Sequence, residues 1–201
     1  MSNTPELEKF LKDNRISNET WQLAKIEWEE LKKIAEDHDK QLERLRDSAE
    51  FFARVIQRFP GVHSVRWRIK DKHHLLEKII RKRAKGSKKY SEINSENYFE
   101  TVTDLVGLRA LHLFKDECFA IDQDLRNTWT TTEEPTAYIR EGDPADMRVR
   151  FEAHGFKVEN HPEGYRSIHY VFSTKPLQRQ VFAEIQVRTI FEEGWSEIDH
   201  H

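Results

Sequence analysis

The chain has 201 residues, 37% of them hydrophobic and 34% charged, with a formal charge of −3. That length supports one sizeable core carrying a helical appendage, and the near-neutral balance argues against a protein that coats nucleic acid. The lone Cys118 excludes an intrachain disulfide or a thiolate metal cluster; no apolar run approaches a membrane span, and the polar N-terminus lacks a signal-peptide core, so the expectation is a cytoplasmic protein that does not engage a membrane.

In chain order, residues 1–16 read as a short helix around Leu7, Phe10 and Leu11. Ser17 or Asn18 then caps a long helix reaching about Arg58. Its apolar positions, among them Trp21, Leu31, Ile34, Leu45, Phe52 and Ile56, recur three or four residues apart and predict one buried stripe, for packing or oligomerisation. Phe59-Pro60-Gly61 stops it. These boundaries predict a helical extension over residues 1–58 and a second domain over 59–201.

The segment VHSVRWRIK alternates as a strand, and HHLLEKIIRKRAK follows as a helix with Leu75, Leu76, Ile79 and Ile80 inward. AKGSKKYSEINSENYFET reads as a polar loop. Residues 63–90 hold eleven Lys or Arg against Asp71 and Glu77, a block that calls for an anion. For Arg83, Lys85, Lys88 and Lys89 at its end, a solvated face is the preferred reading. There is neither GxGxxG nor GxxxxGK[ST], so phosphates would be gripped by side-chain cations, with Lys78 and Arg81 or Lys82 one turn apart on the helix.

GLRALHLF is an apolar strand that contains Arg109, a guanidinium needing an anion or a ring at the sheet's edge; Asp104 precedes it at the rim. A helix around 117–125, a strand at 137–140, a polar helix near 144–154 and a strand at 156–159 come next. The last two strands, residues 165–172 and 181–188, form an antiparallel hairpin with Pro176 near its turn. Alternation places Tyr165, Ser167 and His169 on one face of the first, and Phe182, Glu184, Gln186 and Arg188 on one face of the second. With the turn centred near Pro176 and Leu177, His169 should face Glu184. The chain ends in a helix whose Ile190, Phe191, Trp195 and Ile198 form an expected inward stripe.

A strand face that collects a carboxylate, an amide, a guanidinium, an imidazole and a phenol suits a ligand floor better than a core. Asp104 and Glu184, converging at a sheet's rim, suit Mg²⁺, which keeps several waters and takes its other ligands from phosphates. The adjacent pairs His73-His74 and His200-His201 cannot share a helix face, which argues against zinc there.

The segments RIKDKHHLLEK, DLVGLRALHLF, EGYRSIHYVF and AEIQVRT, in this order, resemble the core motifs of the synthetase domain of RelA/SpoT-type alarmone synthetases over roughly residues 60–201. The resemblance implies an α+β fold: a nucleotidyltransferase-like mixed sheet flanked by helices. It implies transfer of pyrophosphate from ATP to the 3′-hydroxyl of GTP or GDP, giving (p)ppGpp and AMP. On it, Asp104 and Glu184 would hold Mg²⁺ and be catalytic, Glu184 doubling as a base. Arg68 and Arg109 would sandwich adenine, and Lys70 and Lys78 would contact phosphates. Tyr165 would stack on guanine, with His169, Gln186 and Arg188 completing the acceptor floor. Three positions depart from the family pattern: His161 and Glu163 replace the Lys and Asn frequent before the tyrosine, and His74 replaces a helix serine. With the basic loop, the altered turn keeps a second acceptor class in view, the 3′ end of tRNA or adenosine nucleotides. A silent nucleotide-binding module is the alternative of another class. The expectation is a stand-alone small synthetase, cut in mid-helix at His201 before the helices that often build oligomers in such enzymes.

Overall fold

The computed structural model describes residues 4–175 and 179–199, and it divides into two compact units that cut across the expected boundary at residue 58. One unit comprises residues up to Arg44 together with Lys70–Val102; the other comprises Leu45–Ile69 and the residues from Thr103 on.

The first unit is helical. Helix α1 (Pro5–Asp13) starts with Thr4, whose hydroxyl accepts from the Leu7 amide, and with proline in its first turn, where a missing N–H costs nothing. Helix α2 (Asn18–Ala24) is capped by Ser17, and α3 covers Trp28–Ile56, its residues through Arg44 belonging to this unit. The single long helix expected from residue 17 is therefore interrupted. Lys25 takes a left-handed conformation with φ 49°, and Arg83 supplies the reason. Its Nε and NH2 donate to the carbonyls of Ala24 at 2.6 Å and Lys25 at 2.7 Å, satisfying groups that a continuing helix would have used. The same guanidinium donates to the carbonyl of Tyr90 at 3.0 Å and to that of Ser91. Arg83 is thus a structural clamp; the solvated role expected for it is corrected.

Helix α4 (Lys72–Ala84) is capped by Asp71 and buries Leu75, Leu76, Ile79 and Ile80, as its periodicity requires. The polar loop expected next is also corrected. It contains a 3₁₀ turn at Lys88–Tyr90 and helix α5 (Tyr98–Thr101), and it buries Tyr90, Ile93, Tyr98, Phe99 and Val102. Their spacing has no helical or strand period, which hid them. Two polar bonds hold the segment: the Ser95 amide donates to Glu30 at 2.7 Å, and the Tyr98 hydroxyl donates to Asp37 at 2.7 Å.

The second unit is a six-stranded mixed sheet with helices. Its strands are β1 (Ser64–Ile69), β2 (Val106–His112), β3 (Thr136–Ile139), β4 (Lys157–Asn160), β5 (Ser167–Thr174) and β6 (Val181–Thr189), and its helices α6 (Glu117–Thr128), α7 (Ala145–Ala153) and α8 (Ile190–Asp199). The order across the sheet is β1-β2-β6-β5-β3-β4. The β2/β6 and β3/β4 pairs are parallel and the others antiparallel. The turn at Phe59-Pro60-Gly61 that ends α3 uses Gly61 at φ +84°, a conformation that favours glycine. Alternation buries Leu108, Ala110, Ile168, Tyr170, Phe172, Ile185 and Val187, with Ile121 and Leu125 of α6 also in the core. Each large apolar side chain so buried contributes roughly 1.5–3 kcal/mol before entropy is counted. The half-buried Trp129 packs between Phe52, at 5.1 Å between ring centres, and Phe172, at 5.8 Å.

Helix α8 reverses the expected orientation. Phe191, Trp195 and Ile198 are 60–70% exposed, while Glu192, Glu193 and Ser196 are buried. The sheet face beneath them carries arginines, and ion pairing outweighs the apolar period. Among the described residues, no helix is long and apolar enough to cross a membrane.

Candidate active site

The polar face of the sheet can be assembled strand by strand from its register. Opposite residues across β1, β2, β6 and β5 give one transverse row of Arg66, Arg109, Gln186 and His169, and a second of Arg68, Gly107, Glu184 and Val171. Because β-strands alternate with period two, all eight side-chain positions share a face. Three of the four polar groups in the first row, Arg109, Gln186 and His169, are among those expected at the site; the pairing within it differs from expectation. His169 lies opposite Gln186, and Glu184 opposite Val171, a register two residues away from the one expected. A slip of two keeps the face. His169 and Glu184 consequently remain diagonal neighbours, with Nδ1 3.9 Å from Oε1. The expected turn at Pro176 and Leu177 lies outside the described residues.

Arg66, Trp67, Arg68, Asp104, Gly107, Leu108, Arg109, Glu184 and Gln186 line one pocket of about 170 Å³. Five residues expected to act together, Arg68, Asp104, Arg109, Glu184 and Gln186, are therefore brought together. Arg68 folds across the bare backbone of Gly107, its Cγ 3.5 Å from where a Cβ would stand. Glu184 Oε1 accepts from the Gln186 side chain at 2.8 Å, and Gln186 in turn accepts from Arg188.

The two pocket carboxylates, Asp104 and Glu184, are hard oxygen donors, the chemistry Mg²⁺ prefers, and they fall short of a complete protein shell. Among the described residues no cluster of three or more His, Cys, Asp or Glu is arranged to hold a metal. Two carboxylates alone suit an ion that retains waters and takes further ligands from phosphate oxygens.

At the other end of the floor, burial and the cationic neighbours Arg188 and His161 push the His169 imidazole down to about 4, against the opposing pull of Glu184. The ring is neutral at neutral pH, so its approach to Glu184 is not an ion pair there. Its Nε2 is 2.9 Å from the Ser167 hydroxyl. Tyr138, unremarked in the sequence, stands edge-on to His169 at 4.7 Å and to His161 at 5.3 Å. Tyr165 is only 7% exposed, with its ring 5.3 Å from that of His161, so it does not offer a stacking face in this state. Lys70 and Lys78 belong to the helical unit, where the carbonyl of Lys70 is 2.8 Å from His38 Nε2.

The anion that Arg109 requires is Glu193 of α8, at 2.8 Å, with Glu197 at 3.2 Å. Arg66, missed although it alternates with Arg68, meets Glu193 at 3.3 Å. Arg188 is 7% exposed and lies 3.3 Å from the second Glu193 oxygen. Desolvation lowers the Arg188 pKa while Glu193 opposes the change. Glu192 and Asp143 similarly hold Arg140 and Arg166 beside Tyr165. No spacing signal flags these glutamates: an acidic pair in a terminal helix reads as its wet side.

A sequence profile for a region found in RelA / SpoT proteins matches residues 67–201. Among curated proteins, comparison by sequence returns no match. Among solved structures, the fold is similar to small alarmone synthetase 1 from Bacillus subtilis, with TM-score 0.51, 21% identity, and 82% of this chain and 77% of that chain covered. The same Bacillus subtilis protein bound to AMPCPP matches with TM-score 0.51 at 23% identity, over 80% of this chain and 77% of that one. The smu.1046c protein from Streptococcus mutans UA159 matches with TM-score 0.50 at 24% identity, over 82% and 76%. At such identities the likeness is one of fold.

Proposed function

Because the chain belongs to the family defined by that region of RelA / SpoT proteins, we propose that it transfers pyrophosphate from ATP to the 3′-hydroxyl of GTP or GDP, giving (p)ppGpp and AMP. The observation that carries this reading is the meeting of Asp104 and Glu184 in one pocket with Arg66, Arg68 and Arg109. Guanidinium planes suit purine stacking, and two carboxylates suit a divalent ion beside phosphates.

In this reading the 3′-oxygen attacks the β-phosphorus, the bond from that phosphorus to the α–β bridging oxygen breaks, and AMP leaves. Glu184 takes the proton of the attacking hydroxyl, and Gln186, bonded to Glu184, fixes the carboxylate's orientation. Asp104 and Glu184 would hold Mg²⁺, which when bound supplies charge neutralisation at the triphosphate. Arg68 and Arg109 flank adenine. His169, Gln186 and Arg188 form the acceptor floor, with Tyr165 as its stacking ring. Phosphoryl-type transfer needs placement and charge cancellation more than covalent help, so this set is sufficient.

A second reading keeps the chemistry and changes the acceptor to the 3′ end of tRNA or an adenosine nucleotide. The buried state of Tyr165, beside His161 in the altered turn, favours it. One assay separates the readings. The protein is incubated with γ-labelled ATP and Mg²⁺ and, in separate tubes, GDP, GTP, ADP or deacylated tRNA. Label on GDP or GTP supports the first reading and label on ADP or tRNA the second. Label on none of them refutes both and leaves a silent nucleotide-binding module.

A further inference from the structure

Glu193 lies outside every motif that carries the family resemblance, yet its carboxylate is the point on which three strands converge. Its side chain is 4% exposed. Oε1 accepts from Arg109 of β2 at 2.8 Å and lies 3.3 Å from Arg66 of β1, while Oε2 lies 3.3 Å from Arg188 of β6. An isolated carboxylate at that depth would be costly, and so would a lone buried Arg188; each resolves the other's burial. The geometry also has a directional consequence. A carboxylate binds a guanidinium through its N–H edge, in the plane, and leaves the flat faces open for a base. Arg109 is therefore held by its edge while it lines the pocket, and Arg188, which donates to Gln186 on the acceptor floor, is held by charge across 3.3 Å rather than by a hydrogen bond.

We propose that Glu193 is a positioning residue shared by the two nucleotide subsites, a single carboxylate that sets Arg109 on the donor side and Arg188 on the acceptor side before either nucleotide arrives. This rests on the assignment of donor and acceptor given under the proposed function. Glu197 provides an internal contrast. It is half exposed, and its described ion pairs are with Arg109 at 3.2 Å and Arg66 at 3.5 Å, both on the donor side.

The test is steady-state kinetics of the full chain and of E193Q, E193D and E197Q, varying ATP at saturating acceptor and acceptor at saturating ATP. Loss of the charge-assisted bond to Arg109 and of the buried ion pair with Arg188 predicts that E193Q raises KM for ATP and KM for acceptor, each by about tenfold. Its kcat should stay within about threefold, because the carboxylates at the reacting centre are untouched. E193D, which retains the charge on a shorter stem, should recover part of both KM changes. E197Q should raise KM for ATP alone, by about two- to threefold, in keeping with an exposed pair.

A purely structural role would instead lower kcat in proportion to the folded fraction, read by thermal unfolding, with both KM values unmoved; that result overturns the proposal. A fall in KM for ATP also overturns it, since Glu193 would then be restraining Arg109 from its ligand. Should E193Q fail to fold, E193D and E197Q carry the same KM comparison, and unchanged KM values in both overturn the assignment. A wild-type chain that labels no acceptor refutes the proposed function itself. An active wild type with unmoved KM values in the variants refutes only the role of Glu193.

Discussion

Asp143→Asn is the substitution whose effect can be worked furthest from the structure. One Asp143 oxygen accepts from Arg166 NH2, and the other accepts from Arg166 Nε at 2.9 Å and from the Arg140 amide at 2.8 Å. Glu192 completes the group, 3.0 Å from Arg166 and 2.9 Å from Arg140. Asparagine keeps one acceptor and turns an N–H toward a guanidinium, so at least one charge-assisted bond is lost and two donors are left facing each other. Bonds to charged groups contribute about 1.5–3 kcal/mol each. Arg166 is 30% exposed, so solvent screening lowers its share, and the expected loss is about 2 kcal/mol at neutral pH. For a unit of this size that lowers the midpoint by roughly 4–8 °C. Hydrogen bonding to Arg166 holds the Asp143 carboxyl below its usual range. A lowered folded pKa means that the unfolded chain takes up the proton first as pH falls. The contribution is thus fully present above the ordinary carboxylate range and is lost as pH drops through the folded value. Thermal unfolding of both proteins from pH 7 to 3 should show a gap that closes below about pH 4. Arg166 precedes the floor strand β5 and follows Tyr165, so KM for acceptor should rise as well. A gap under about 0.5 kcal/mol at pH 7, or one constant down to pH 3, would refute the reasoning.

Asp104→Asn and Glu184→Gln should each lower turnover by at least about a hundredfold with an unfolding midpoint within about 2 °C of wild type, since both residues are part-exposed at the pocket; retention of most activity would remove the metal assignment. Arg83→Ala should destabilise the helical unit by about 2–4 kcal/mol in urea titrations, because four backbone carbonyls lose their donor; Arg83→Lys should recover less than half, an ammonium lacking the planar fork. His38→Gln addresses pH from the other side of neutrality. His38 is fully buried, and burial pushes its pKa down, so the unfolded chain takes up the proton as pH falls below about 6.5 and stability declines there. The variant should flatten the dependence of the urea midpoint between pH 8 and 5, and matching slopes would show that His38 does not titrate on unfolding.

Most of the sheet can be read from the chain because its evidence is local. Period-two alternation locates β1, β2, β5 and β6, and it places Glu184, Gln186 and Arg188 together on one face before any pairing is known. Register is less accessible: the expected hairpin is off by two residues, an error that leaves every side chain on the right face. The failures come where distant polar groups override local pattern. Lys25 breaks a helix whose period continues, because Arg83, far along the chain, takes its carbonyl. Tyr98 and Phe99 are buried from a segment whose composition is polar. Helix α8 turns its glutamates inward because arginines wait on three strands. In each case at least one deciding partner lies tens of residues away, as Arg83 does from Lys25 and Arg66 and Arg109 do from Glu193, beyond the reach of any window.

The inversion of α8 also bears on how the site manages charge. Arg66, Arg68 and Arg109 stand against Asp104 and Glu184 around one pocket. If those arginines were free to swing, the shortest route to neutrality would be to fold onto Asp104 and Glu184, taking up the oxygens that a metal would need. Glu193 and Glu197 narrow that option by engaging Arg66 and Arg109, two of the three, from the helix. Under the proposed function, the pocket's own acids would then meet a harder cation and the guanidinium faces would meet bases. On this argument a terminal helix with an apolar inner stripe, as its periodicity invited, would bury more hydrocarbon and make a poorer site: the pocket arginines would turn to the two carboxylates proposed to hold the metal.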